Sequence, residues 1–164
     1  MVSRAGAIRW WSAHPQAAGS ALIGADELRN REDVGCHVPL ELLDAGERTV
    51  VLDDLSTGLS RAVPGQAEFI EGDVGDQDLV RRIVKERGIE AIVHFAGSVV
   101  VPDSVADPLG YYLNNTVKSR ALIEVAVKCG VRHFIFSSTA AVYGMTGDQP
   151  VVEDAPLAPI SPYG

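Results

Sequence analysis

Four short runs rich in branched and aromatic residues constrain this chain more than any other feature. They are "RTVVLDD" (48–54), "AEFIEGDV" (67–74), "IEAIVHFAG" (89–97) and "VRHFIFSST" (131–139). Segments with apolar residues at helical spacing alternate with them: "CHVPLELLDAG" (36–46), "DQDLVRRIVKERG" (76–88) and "DPLGYYLNNTVKSRALIEVAVKCG" (107–130). Gly46 and Gly130 stand where helices commonly stop. Continuous apolar strands alternating with helices make a parallel sheet covered on both faces. Its crossovers are right-handed almost without exception. The fold class predicted is α/β: a doubly wound, Rossmann-type parallel sheet with helices on both faces, whose ligands gather at the carboxyl ends of the strands.

The totals remove other classes. The chain has 164 residues, enough for one domain, and a formal net charge of −8 that offers nothing to nucleic acid or an anionic membrane. Cys36 and Cys129 lie far apart with no CxxC or Cys/His cluster, which predicts free thiols in a reducing compartment and no structural metal. No apolar run approaches the ~18 residues of a membrane span. The first 25 residues hold Arg4 and Arg9 and no acid. Ser12, His14, Pro15 and Gln16 break their apolar stretches, so no secretory core forms. The location predicted is cytoplasmic.

If ligands gather at strand ends, unusual polar residues should follow each strand, and they do. Asp53 and Asp54 end the first run, where a carboxylate can accept both hydroxyls of an adenosine ribose or simply be solvated. Asp73 follows "FIEG" and reads either as an acceptor for an adenine amino group or as a turn residue. Phe95, Ala96 and Gly97 follow "AIVH", where small residues let a ligand approach the backbone or merely permit a tight turn. Ser137, Ser138 and Thr139 follow "FIF" as hydroxyls that cap a turn or meet a substrate. Asn114 and Asn115 are poor helix formers inside a helix and call for partners, which the mouth of the strands would supply.

The series "VVLDDLSTG … FIEGDV … IVHFAG … PLGYYLNNTV … HFIFSSTAAVYG … PISPYG" closely resembles the extended short-chain dehydrogenase/reductase family, and within it the UDP-glucose 4-epimerases, from Gly35 to Gly164. The resemblance implies a tightly bound NAD, a UDP-sugar substrate, and interconversion of UDP-glucose and UDP-galactose through a 4-keto intermediate. It further implies that Gly35, Asp53, Asp54, Leu55, Ser56, Thr57, Gly58, Asp73, Val74, Phe95, Ala96, Gly97, Ser98, Val99 and Asn114 contact the cofactor. Tyr163 would be the catalytic base and Thr139 the hydroxyl that bonds the sugar 4-oxygen. A tyrosine's ordinary pKa is ~10. The family lowers it with a lysine one helical turn on, a position beyond Gly164 here, so the chain by itself is expected to be inactive. Related dehydratases carry an acidic pair after the hydroxyl residue; Ala140 and Ala141 stand there instead, and methyl groups cannot move protons. The family is commonly homodimeric through the helix matching 106–130 and the one beginning at Tyr163.

The amino-terminal part departs from this pattern. The family opens with a strand and GxxGxxG, whose glycines admit the diphosphate at a helix N-terminus. Gly35 matches the last of these, but Glu32 and Arg29 occupy the other two places. Residues 1–34 are therefore expected to be a non-family segment, and 35–164 a partial NAD-binding domain whose sheet lacks its central strand. "ALIGA" (21–25) is a short candidate for that strand, poor in β-branched residues. Pro39 fits a helix only if the helix starts late, near Cys36 to Val38. Val99 stands where many epimerases carry lysine. A non-catalytic nucleotide-binding remnant is the competing expectation.

Overall fold

The computed structural model describes residues 20–24, 34–147 and 150–164. Five strands, β1 (Ser20–Gly24), β2 (Arg48–Asp53), β3 (Glu68–Glu71), β4 (Ala91–His94) and β5 (His133–Phe136), form one sheet in the order β3-β2-β1-β4-β5. Every pairing is parallel. Helices α1 (Val34–Asp44), α2 (Gln77–Arg87), α3 (Val101–Ala106), α4 (Pro108–Tyr111) and α5 (Lys118–Cys129) connect the strands. The reversal of strand order beside β1 is the switch point at which sheets of this class bind ligands.

The sheet is not missing its centre. Ser20–Gly24 pairs with β2 on one side and β4 on the other, Leu22 standing level with Val50 and Ile92. Period-two alternation then divides its side chains between two cores. Leu22 joins Val50, Leu52 and Ile92 under Val80, Ile83 and Val84 of α2 and Leu122, Val125 and Ala126 of α5. Ala21 and Ile23 join Val51 and Val93 under Val38 and Leu42 of α1. Burying each of Leu22 and Ile23 contributes ~2 kcal/mol. Pairing on both edges and packing on both faces outweigh the weak strand propensity of Ser, Ala and Gly.

The helices follow their sequence signals with three differences. Asp76 caps α2 by accepting from Asp78 N and Leu79 N, and Gly88 ends it in the left-handed region at φ 61°. Helix α1, by contrast, starts at Val34 and keeps Pro39 inside it, past the first turn, rather than starting late. Val38 and Leu42, on either side of the proline, are buried against the sheet, and that packing holds the helix across the break. The long helix is composite: α4 and α5 are joined by a π-helical stretch, Tyr112–Val117. The short α3 has no counterpart in the sequence reading.

Gly72 N donates to Asp53 O, Phe95 N to Gly24 O and Ser137 N to His94 O. These bonds carry the parallel pairing one step past the strands and fix where each following loop departs. Among the described residues, no helix is long and apolar enough to cross a membrane, and no cluster of three or more His, Cys, Asp or Glu side chains could hold a metal.

Candidate functional site

The loops after β4 and β5 and the end of the chain meet in one cavity of about 230 Å³. Phe95, Ala96, Gly97, Ser98 and Val99 form one wall. Ser137, Ser138, Thr139 and Val142 form another, and Tyr163 and Gly164 a third. Segments about 20 to 70 residues apart in the chain are thus gathered at the carboxyl ends of β4 and β5. Tyr163 reaches the cavity because the last residues fold back on the turn after β5: Ala158 N donates to Val142 O, and Gly164 N to Ser161 Oγ. Residues 161–164 form a bend, not the start of a helix.

Thr139 caps a turn and lines the cavity. Its Oγ1 accepts from Ala141 N at 3.2 Å and caps the short turn Ala140–Tyr143. A hydroxyl that accepts one bond still has its proton to give. Phe136, 56% exposed, turns an aromatic face into the same cavity.

The loop after β4 is held from the π-helical stretch. Asn115 Oδ1 accepts from Ser98 N and its Nδ2 donates to Ser98 O, both at 2.8 Å. Asn114 Nδ2 donates to Ser98 Oγ at 3.0 Å. The partners expected for the two asparagines are therefore the backbone and hydroxyl of one serine at the strand mouth. Gly97 passes so close that an added Cβ would lie 3.3 Å from Asn115 Oδ1. A π-helical segment at such a place is the common signature of a functional site.

The other end of the sheet edge carries the acids. Asp53 closes β2 fully buried, and its Oδ1 accepts from Leu55 N at 2.7 Å. Asp54, half-buried, accepts from Ser56 N at 2.8 Å. These successive turns drive Leu55 to φ 58°, a left-handed conformation that strains a branched side chain. They also lay Gly58 on the Asp53 carboxylate, where a Cβ would stand 2.7 Å from Oδ2. Thr57 lies exposed between them. Asp73 accepts from Gly75 N and pairs with Lys118 Nζ, each at 2.7 Å, and Val74 is buried beside it. Gly35 lies in the first turn of α1; Arg29 and Glu32 lie outside the described residues.

Thr116, Phe136 and Lys118 carry no expectation from the sequence, and Asn115 only that of a partner at the strand mouth. The signal for Asn115 and Lys118 is the polar spacing 114, 115, 118 and 119, which marks one helical face. Phe136 gave none, since a strand phenylalanine reads as core.

A sequence profile of the NAD dependent epimerase/dehydratase family matches residues 34–164. The chain belongs to this family. It is 47% identical over 131 residues to the UDP-glucose 4-epimerase of Azospirillum brasilense, covering 80% of this chain and 38% of that protein. It is 42% identical over 131 residues to the enzyme of the same name from Lactobacillus helveticus, covering 80% and 40%. The crystal structure of UDP-glucose 4-epimerase from Brucella ovis in complex with NAD superposes with a TM-score of 0.80 at 34% identity. That match takes in 89% of this chain and 43% of the other. The chain thus spans about two fifths of the length of the curated epimerases it matches.

Proposed function

We propose that this chain is the cofactor-binding portion of an NAD-dependent UDP-glucose 4-epimerase, which interconverts UDP-glucose and UDP-galactose. The observation that carries the proposal is the single cavity lined by Phe95–Val99, Thr139 and Tyr163, set on a sheet edge whose other end bears Asp53, Asp54 and Asp73. A carboxylate pair closing β2 and a cavity after β4 and β5 support a dinucleotide held at both ends. In this reading Asp53, Asp54 and the loop Leu55–Gly58 hold the adenosine ribose. Asp73 and Val74 meet the adenine, Gly35 the diphosphate, and Phe95–Val99 with Asn114 the remainder. NAD, when bound, accepts and returns the hydride of the sugar C4.

The chain's own residues then handle placement and protons. Tyr163 takes the proton of the sugar 4-hydroxyl. The Thr139 hydroxyl, already accepting from Ala141 N, directs its proton to the 4-oxygen. Ala140 and Ala141 supply no acid or base, which favours epimerisation over elimination of water. Activity is assigned to the whole protein rather than to the two fifths in common with the relatives. Residues 35–164 are assigned to the cofactor-binding domain together with Ser20–Gly24, its central strand, and the rest of 1–34 to a segment outside the family. The location is cytoplasmic, and the whole protein pairs with a second copy. Support for pairing comes from Leu109, Leu113, Val117 and Val127, which stand exposed along the composite helix, Leu109 by 79% and Val127 by 74%.

One observation favours a second reading, a nucleotide-binding remnant without turnover: Glu32 and Arg29 occupy the places of two glycines. Calorimetric titration separates the two, since the epimerase reading requires NAD to be preferred over other nucleotides such as ATP and the remnant reading does not. The purified chain should bind NAD one to one and leave UDP-galactose unconverted. Conversion by the chain alone would refute the division of roles, and no binding of NAD or UDP-galactose would refute the epimerase reading.

A further inference from the structure

His94 ends β4, directly before the loop that walls the cavity, yet the proposed chemistry makes no use of it. It is 1% exposed, and burial holds its pKa down to about 4, so the ring is neutral near pH 7. Its Nε2 lies 2.7 Å from Ser119 Oγ. The Ser119 hydroxyl in turn donates to Asn115 O at 2.5 Å. Two oxygens that close require the hydroxyl proton between them, and serine has only one. His94 Nε2 must therefore be the donor to Ser119. The ring is thus the Nε2–H tautomer, with Nδ1 a bare acceptor turned toward Gly24, whose ideal Cβ would lie 3.6 Å away. The opposite tautomer would bury an N–H at Nδ1, which has no hydrogen-bond partner among the described residues.

The bonds form a closed circuit. His94 Nε2 donates to Ser119, Ser119 donates to the Asn115 carbonyl, and the Asn115 amide grips Ser98 N and O. Ser98 is four residues after His94 in the loop that starts there. Phe134 and Phe136 of β5 flank the imidazole, at ring-centroid distances of 6.0 and 5.7 Å, and limit its rotation. The geometry points to His94 as a positioning residue: through Ser119 it sets the π-helical stretch and hence the Asn115 clamp that shapes the Gly97–Val99 wall of the cavity. This deepens the proposed reading, on which its link to cofactor binding rests.

The test uses the whole 164-residue chain. Nitrogen-15 NMR of the imidazole should report Nε2–H in the unmodified protein. Ser119→Ala should speed amide exchange at Ser98 about tenfold, the worth of one lost hydrogen bond. It should leave exchange in β1 and β2 unchanged, and weaken NAD binding by about the same factor. Ser119→Thr, which keeps the hydroxyl, should restore both values, a rescue that packing alone would not give. An Nδ1–H tautomer, or Ser98 exchange indifferent to Ser119→Ala, would overturn the relay. If Ser119→Ala fails to fold, the tautomer and the behaviour of Ser119→Thr still decide. If the unmodified chain binds no NAD, the proposed function fails, while tautomer and exchange still decide the relay.

Discussion

Replacing Leu22 by alanine tests whether Ser20–Gly24 is the centre of the sheet. Leu22 is 1% exposed and packs with Val50, Leu52, Ile92 and residues of two helices. The substitution removes three carbons, each worth ~0.8 kcal/mol of transfer, or about 2.4 kcal/mol together. The residual cavity adds to this, and buried Leu→Ala changes cost ~2–5 kcal/mol, so about 3 kcal/mol is expected. With a urea slope of ~2 kcal/mol/M, the unfolding midpoint should fall by about 1.5 M. Leu157→Ala, at a site 69% exposed, should stay within ~0.5 kcal/mol of the unmodified protein. A fall of less than ~0.3 M for Leu22→Ala, with an unchanged slope, would mean that this segment is not in the core.

Three further outcomes follow from particular contacts. The pKa of His94 lies at about 4 in the folded chain against an ordinary 6.5. Between those values the unfolded chain binds a proton that the folded one refuses, so stability falls as pH drops from 6.5 to 4. The fall is of the order of 3 kcal/mol and should appear in the difference between the curves of the unmodified protein and His94→Gln, measured by urea unfolding across that range. Gly58→Ala should push the Asp53 carboxylate, 2.7 Å from the new methyl, out of place and weaken NAD binding by about tenfold in a calorimetric titration. Asp76→Ala removes the cap that accepts from Asp78 N and Leu79 N and should cost ~1 kcal/mol in thermal or urea unfolding.

Strands β2 to β5 were legible because each is a short apolar run closed by turn or polar residues, and α2 and α5 because period, caps and terminal glycines agree. β1 is only a weak candidate in the sequence because its residues lack strand propensity. What makes it a strand is pairing on both edges, a non-local fact. Pro39 was weighed by its local cost, whereas Val38 and Leu42 hold α1 from the sheet side. In the site, residues after strand ends were legible because topology puts them on one edge. The Asn114–Asn115 pair showed that the helix needed partners, but not that both would find Ser98. The His94–Ser119–Asn115 circuit left no trace in sequence, since a histidine ending an apolar strand reads as ordinary core.

The most direct test of a dinucleotide lying across these strand ends is amide exchange of the whole chain, with and without saturating NAD. Slowed exchange should appear together in Asp54–Gly58, Asp73–Gly75 and Phe95–Val99, while the exposed helical residues Leu109 and Val127 stay unchanged. Protection confined to another face of the molecule, or none at saturating cofactor, would contradict the account.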